Sequence, residues 1–202
     1  MPSRRSMLQE NEGCLLHLPL SFDGDLSDRI TGAALELSGN GSITWDATGG
    51  MYLIKNPATI GQYVARLAID LYPYKFPTNS FTTIGQIKRK STSGSQSAFS
   101  KPPINVTYNA TESLNVYPST VVNVATVIDD INNNRTYYQN NTLYKTYTET
   151  VAYLPSNWSY DGFVYIGYIS NSFYYNKEYY IKDYYLFNRV LTAEEIYKIQ
   201  GY

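Results

Sequence analysis

At 202 residues, with 43% hydrophobic and 16% charged side chains, the chain suits one β-sandwich domain around one core and is too apolar for a disordered or fibrous protein. With 16 Lys and Arg against 17 Asp and Glu, the net charge of −1 gives no bulk pull toward nucleic acid or an anionic membrane. A single cysteine, Cys14, excludes an internal disulfide and a thiolate metal cage.

In chain order, Met1 to Gly13 is polar, carries Arg4 and Arg5, and has no apolar run behind them. Residues 1–13 are therefore expected to be an N-terminal arm and residues 14–202 the domain, with neither signal peptide nor transmembrane span. The run Leu15 to Leu20 is short and broken by His17 and Pro19; Cys14 beside its leucines is expected to be a buried structural thiol. Phe22-Asp23-Gly24-Asp25 and Ser38-Gly39-Asn40-Gly41-Ser42 are turn chemistry, because Gly and Asn tolerate positive φ. Between and after them, Ala33 to Leu37 and Ile43 to Trp45 read as short strands, and Thr48-Gly49-Gly50 leads into Met51 to Ile54.

Two apolar runs follow, Tyr63 to Tyr72 and Phe81 to Ile87, and Pro73 and Pro77 between them rule out one continuous helix. After a Ser/Lys-rich loop from Ser91 to Lys101, the runs Ile104 to Tyr108, Leu114 to Tyr117 and Val121 to Ile128 are β-branched or alternate with period two, the pattern of strands. Phe163 to Gly167 and Tyr179 to Phe187 read as two more. Thr192-Ala193-Glu194-Glu195 is a capping box, predicting a helix of about two turns to Ile199 with Gly201 just past its end. Short strands, frequent turns and one terminal helix predict an all-β fold: a two-sheet antiparallel β-sandwich or jelly roll.

The ending Ile181-Lys182-Asp183-Tyr184-Tyr185-Leu186-Phe187-Asn188-Arg189-Val190-Leu191-Thr192-Ala193-Glu194-Glu195-Ile196, preceded by Ile166-Gly167, resembles the C-terminal signature of the laminin-G-like, concanavalin A-like jelly-roll superfamily. Asn134 to Tyr144 is similar to that family's central hairpin, with Asn141 where Gly is usual; Asn also tolerates a left-handed turn, so the hairpin should survive. Leu18 to Gly24 resembles the family's first strand and Phe-Asp-Gly turn. The resemblance implies a concanavalin A-like sandwich from about Leu15 to Ile199. Some members bind calcium near the first turn and last strand, where Asp23, Asp28 and Asp183 stand here. Lys182 replaces one Asp of the family's usual pair, and three scattered carboxylates do not make a ligand set of about six to eight oxygens. No cofactor is expected, and these residues are read as capping turns and pairing strand ends.

Chemistry that needs paired groups finds no constellation. Glycoside hydrolysis requires two carboxyl groups roughly 5 to 10 Å apart; the superfamily's glucanases carry Glu-x-Asp-x-Glu on one strand, and no such run occurs. Glu194 and Glu195 already have a helix-start role. His17 is the only histidine, no Gly-x-Ser-x-Gly marks a nucleophile, and no phosphate loop or His-x-x-x-His spacing appears. The expectation is a non-catalytic module and not an enzyme.

Tyrosine accounts for 22 residues, against 7 Phe and 2 Trp. Tyr rings favour strands and interfaces and stack on sugar faces, while Asn side chains hydrogen-bond hydroxyls. The stretch Ser156 to Tyr185 interleaves both, so Trp158, Tyr160, Tyr168, Asn171, Tyr174, Tyr175 and Asn176 are the candidate ligand-binding residues, the competing account being that these rings pack between sheets or against another subunit. The family resemblance implies work outside cells, yet neither an export signal nor a disulfide framework is expected from this sequence. A bacteriophage virion protein (capsid decoration, head fibre or tail component) reconciles the two, and the Asn- and Tyr-rich composition fits it. Its expected partners are other virion proteins or copies of itself, with host-surface glycans and without nucleic acid or membrane. A free carbohydrate-binding module or adhesin, and a degenerate glycanase, are the alternatives.

Overall fold

The structure is a computed structural model that describes residues 13–68, 80–90, 120–129, 131–148, 163–167 and 178–200. Its elements in chain order are β1 (Cys14–Leu18), β2 (Glu36–Leu37), β3 (Ser42–Asp46), β4 (Met51–Lys55), β5 (Ala65–Ala68), β6 (Phe81–Arg89), β7 (Val122–Asp129), β8 (Asn134–Gln139), β9 (Thr142–Thr148), β10 (Phe163–Ile166), β11 (Glu178–Phe187) and α1 (Ala193–Gln200). The predicted sandwich with a short C-terminal helix is what forms. The eight-stranded sheet runs β3-β4-β11-β6-β7-β8-β9, with β1 also on β11; the three-stranded sheet runs β10-β5-β2. All pairings are antiparallel. The segments Ile104 to Tyr108 and Leu114 to Tyr117, the loop Ser91 to Lys101 and residues 1–12 of the arm lie outside the described residues.

Period-two alternation sorts each strand's side chains. Leu16, Leu18, Tyr52, Ile54, Ile87, Val122, Val124, Ile181 and Leu186 of the large sheet meet Leu67, Val164 and Ile166 of the small one. The other face of the large sheet carries α1. Ile196 and Leu191 pack there on Ile84, Ala125, Val127 and Phe187.

Two local devices hold α1 in place. Glu195 N–H donates to Thr192 Oγ1 at 3.3 Å and Thr192 N–H donates to Glu195 Oε2 at 2.7 Å, the capping box read from the sequence. Buried Thr82 on β6 donates to Arg189 O and accepts from Leu191 N–H, at 2.8 and 3.0 Å, tying the helix approach to the sheet. The hairpin also forms as expected: Asn140 and Asn141 take φ of 46° and 63° between β8 and β9.

Candidate functional site

Strand β11 is not regular. Lys182 stands opposite Gln86 of β6, but Tyr185 stands opposite Ile84, so three steps on β11 match two on β6. The extra residue is Asp183, in a left-handed conformation at φ 49°. Ile181 and Tyr184 therefore both enter the inter-sheet core, while Tyr185 turns to the helix-bearing face. Beyond the bulge, β11 exchanges one edge neighbour for another. β4 pairs with Glu178 to Ile181, and β1 pairs with Tyr184 to Phe187.

That exchange places His17 of β1 opposite Tyr185, and the two rings stack at 4.1 Å between centroids. His17 Nε2 stands 3.9 Å from Asp183 Oδ1, too far for a hydrogen bond, and is buried without a hydrogen-bond partner. The sequence reading found no partner for His17; the alternation that buries Leu16 and Leu18 turns it toward these two residues.

Next to this group, Lys182, Gln86 and Asn123 lie directly across β11, β6 and β7 and share one face. The last turn of α1 brings Gln200 over that row. The result is a cleft of about 150 Å³, lined by Gln86, Asn123, Asp183, Tyr185 and Gln200 above Ile84 and Gly85. Both side-chain amide atoms of Gln200 are buried without a hydrogen-bond partner. An amide withdrawn from water and left unpaired costs about 1–3 kcal/mol, which a bound hydroxyl would recover.

The cleft offers three carboxamides, one carboxylate and an aromatic ring. These groups hydrogen-bond and stack. Among the described residues, Asp183 is the one carboxylate lining the cleft. Cys14, on the same strand as His17, is no nucleophile: its Sγ donates to Leu16 O, and burial pushes the thiol up to about 12.

The other acids near the first turn have local duties. Asp28 accepts from His17, Ile30 and Thr31 N–H and from the Thr31 hydroxyl at 2.6–3.1 Å, and Asp25 accepts from Ser21 and pairs with Arg29. This is the turn-capping role expected of Asp28. Asp23 is exposed. Among the described residues, no three His, Cys, Asp or Glu side chains converge on a point that could hold a metal.

The sequence-derived candidates Trp158, Tyr160, Tyr168, Asn171, Tyr174, Tyr175 and Asn176 lie outside the described residues. The described rings of the same stretch do not all share one surface. Tyr179 is in the core. Phe163 and Tyr165 sit around Arg66 on the outer face of the small sheet, with the guanidinium 4.1 Å from the Phe163 ring centre and bonded to Glu36 at 2.8 Å. Tyr180 is on the outer face of the large sheet, 5.2 Å from Lys88 Nζ. Sequence reasoning missed Gln86, Asn123 and Gln200; their one signal is that they are amides at otherwise apolar, buried or half-buried strand and helix positions.

No family model matches the chain, and no curated protein matches it. Solved structures share its fold. Domain 4 of AbnA, a GH43 extracellular arabinanase from Geobacillus stearothermophilus solved with arabinotriose, superposes with a TM-score of 0.61 at 12% identity, covering 94% of this chain and 99% of that one. The binding domain of botulinum neurotoxin DC, solved with rat synaptotagmin II, gives 0.58 at 13% identity over 91% of this chain and 50% of that one. The botulinum neurotoxin type G receptor-binding domain gives 0.56 at 15% over 93% and 51%. The chain thus spans about half the length of the toxin domains and nearly all of the arabinanase domain. At these identities the likeness establishes the β-sandwich fold.

Proposed function

We propose that the chain is a non-catalytic binding module that holds a glycan in the cleft beside the β11 bulge. The observation that carries this reading is the buried, unpartnered Gln200 amide in a cleft that also presents Gln86, Asn123, Asp183 and the Tyr185 ring. Polar groups fixed on strands and a helix, around one ring, are what orient a polyhydroxylated ligand. The neighbouring arabinanase domain bound to a trisaccharide, and the toxin domain bound to a protein receptor, support a binding role on this fold. The aromatic and Asn side chains Trp158, Tyr160, Tyr168, Asn171, Tyr174, Tyr175 and Asn176 are proposed as a second contact surface.

The setting we propose is a bacteriophage virion, with the chain docked on other virion proteins or on copies of itself through its polar arm; the Asn- and Tyr-rich composition supports it. A free carbohydrate-binding module is the second reading, favoured by the near-complete coverage of the arabinanase domain.

A glycan array probed with the full chain tests the binding role, with a reducing-end assay alongside. The expected result is binding without turnover, weakened at least tenfold by Gln200→Ala. Turnover of any bound polysaccharide, or binding indifferent to Gln200 and Gln86 substitutions, would contradict it. Recovery of the chain in purified particles supports the virion setting; glycan binding by a monomer absent from particles selects the free module.

A further inference from the structure

The face that carries the cleft continues along β11. Lys182 stands opposite Gln86, and Tyr180 stands opposite both Lys88 of β6 and Leu53 of β4. Residues directly opposite in an antiparallel pair share a face, and successive same-face residues on a strand lie roughly 7 Å apart. Tyr185, Lys182 and Tyr180 therefore form a track with a ring at each end and an ammonium between them, longer than a single sugar ring.

Charge along this track is uneven. Lys90, two residues on from Lys88, is neutralised by Glu178 at 3.2 Å. Lys88 and Lys182 have no ion pair among the described residues, and both are half-buried. Lys88 is held beside the Tyr180 ring, its Nζ 5.2 Å from the ring centre. Among the described residues, the carboxylate between Tyr185 and Tyr180 is Asp183, at the other end of the track, with His17 at 3.9 Å. Lys55, opposite Glu178 on β4, stands at the far end of the same face, so in a chain of net charge −1 the cationic character is local to this face.

We infer, on the reading that the bulge cleft binds a glycan, that the ligand is a linear glycan bearing carboxylates, laid along β11 from Tyr185 to Tyr180. Its hydroxyls meet Gln200, Gln86, Asn123 and Asp183 in the cleft, and its carboxylates meet Lys182 and Lys88 further along. The arrangement disfavours a uniform polyanion such as a nucleic acid. A phosphate on every unit would place one against Asp183, where like charges repel at short range in a half-buried site. A sugar polymer in which neutral and acidic units alternate can present a neutral unit there and an acidic one further along.

The test is calorimetric titration of the full chain with a hyaluronan oligomer, in which acidic and neutral sugars alternate, its carboxyl-reduced neutral counterpart of the same length and a single-stranded DNA oligonucleotide, each at low and at physiological salt. The expected result is at least about tenfold tighter binding of the acidic oligomer than of the neutral one. That margin should shrink as salt rises and vanish in Lys88→Gln/Lys182→Gln, whose unfolding midpoint should match the parent. Equal binding of acidic and neutral oligomers, or a margin that survives the double substitution, overturns the inference and leaves the glycan reading standing. DNA binding as tight as the hyaluronan oligomer overturns the assignment of the track to a glycan. Failure of both sugars to bind overturns the inference together with the reading it rests on.

Discussion

His17 lies flat against Tyr185, with ring centroids 4.1 Å apart and planes 10° apart, while its Nε2 stands 3.9 Å from Asp183 Oδ1. The three residues meet because one left-handed residue in β11 shifts the pairing register where β1 replaces β4 along its edge. A register slip turns side chains to the opposite face, so a single bulge decides which Tyr of the pair Tyr184-Tyr185 is core and which lines the cleft.

Asp183→Gly separates structure from binding. Glycine takes φ 49° without the cost of a Cβ, against an entropy penalty of about 0.5–1 kcal/mol, so stability by urea unfolding should stay within about 1 kcal/mol of the parent. Glycan affinity should fall at least tenfold, because the carboxylate that lines the cleft is gone. A variant that binds normally would place Asp183 outside the site.

Gly167→Ala should be strongly destabilising. Gly167 has φ +66°, and a Cβ would lie 2.6 Å from Val64 Cγ2 and 3.0 Å from Asn56 Oδ1. The left-handed backbone alone costs about 1–2 kcal/mol for a residue with a side chain, and a β-branched neighbour in the core cannot turn aside cheaply. A loss of about 2–4 kcal/mol in chemical denaturation is expected, the contact adding overpacking to backbone strain.

The two residues of the hairpin turn should respond in opposite directions. Asn140 donates its N–H to Asn123 O at 2.9 Å and accepts from Asn123 N–H through Oδ1 at 3.0 Å. Asn140→Gly should therefore cost about 1 kcal/mol. Asn141 Oδ1 is buried without a hydrogen-bond partner, and its φ of 63° suits glycine, so Asn141→Gly should be neutral or stabilising by a few tenths of a kcal/mol in thermal unfolding.

The helix cap makes part of the stability acid-sensitive. The Arg189 guanidinium, bonded at 2.7 Å, holds the Glu195 carboxyl down at about 2 from its ordinary 4.5, aided by the N–H and hydroxyl of Thr192 and opposed by partial burial. A depressed carboxyl stabilises fully above its unfolded value and loses that contribution as pH falls through the folded one. Between pH 5 and 2 the parent should therefore lose about 1 kcal/mol more than Glu195→Gln, a modest figure because the pair is partly exposed. Parallel urea titrations across that range measure it.

Much of this fold could be read from local chemistry. The Asn140-Asn141 turn needs positive φ, Thr192 and Glu195 satisfy helix-end N–H groups, and runs such as Val121 to Ile128 are β-branched; each signal sits within a few residues. The bulge could not be read so. Tyr179 to Phe187 presents as one continuous strand, and nothing in Lys182-Asp183-Tyr184 shows that the pairing slips there. The site was hidden for the same reason, since His17, Gln86, Asn123 and Asp183 come from four strands joined by sheet order and Gln200 from a helix packed on that sheet. His17 read as a lone polar residue in an apolar run, and its neighbours became visible once β1 was paired to β11.

Side-chain amide NMR is the most direct test of the binding cleft. With the full chain isotopically labelled and titrated with the tightest glycan from an array, the amide NH₂ signals of Gln86, Asn123 and Gln200 should shift together and saturate with the affinity measured in solution. If those three signals stay fixed while the glycan is fully bound, the cleft beside the β11 bulge is not the binding site.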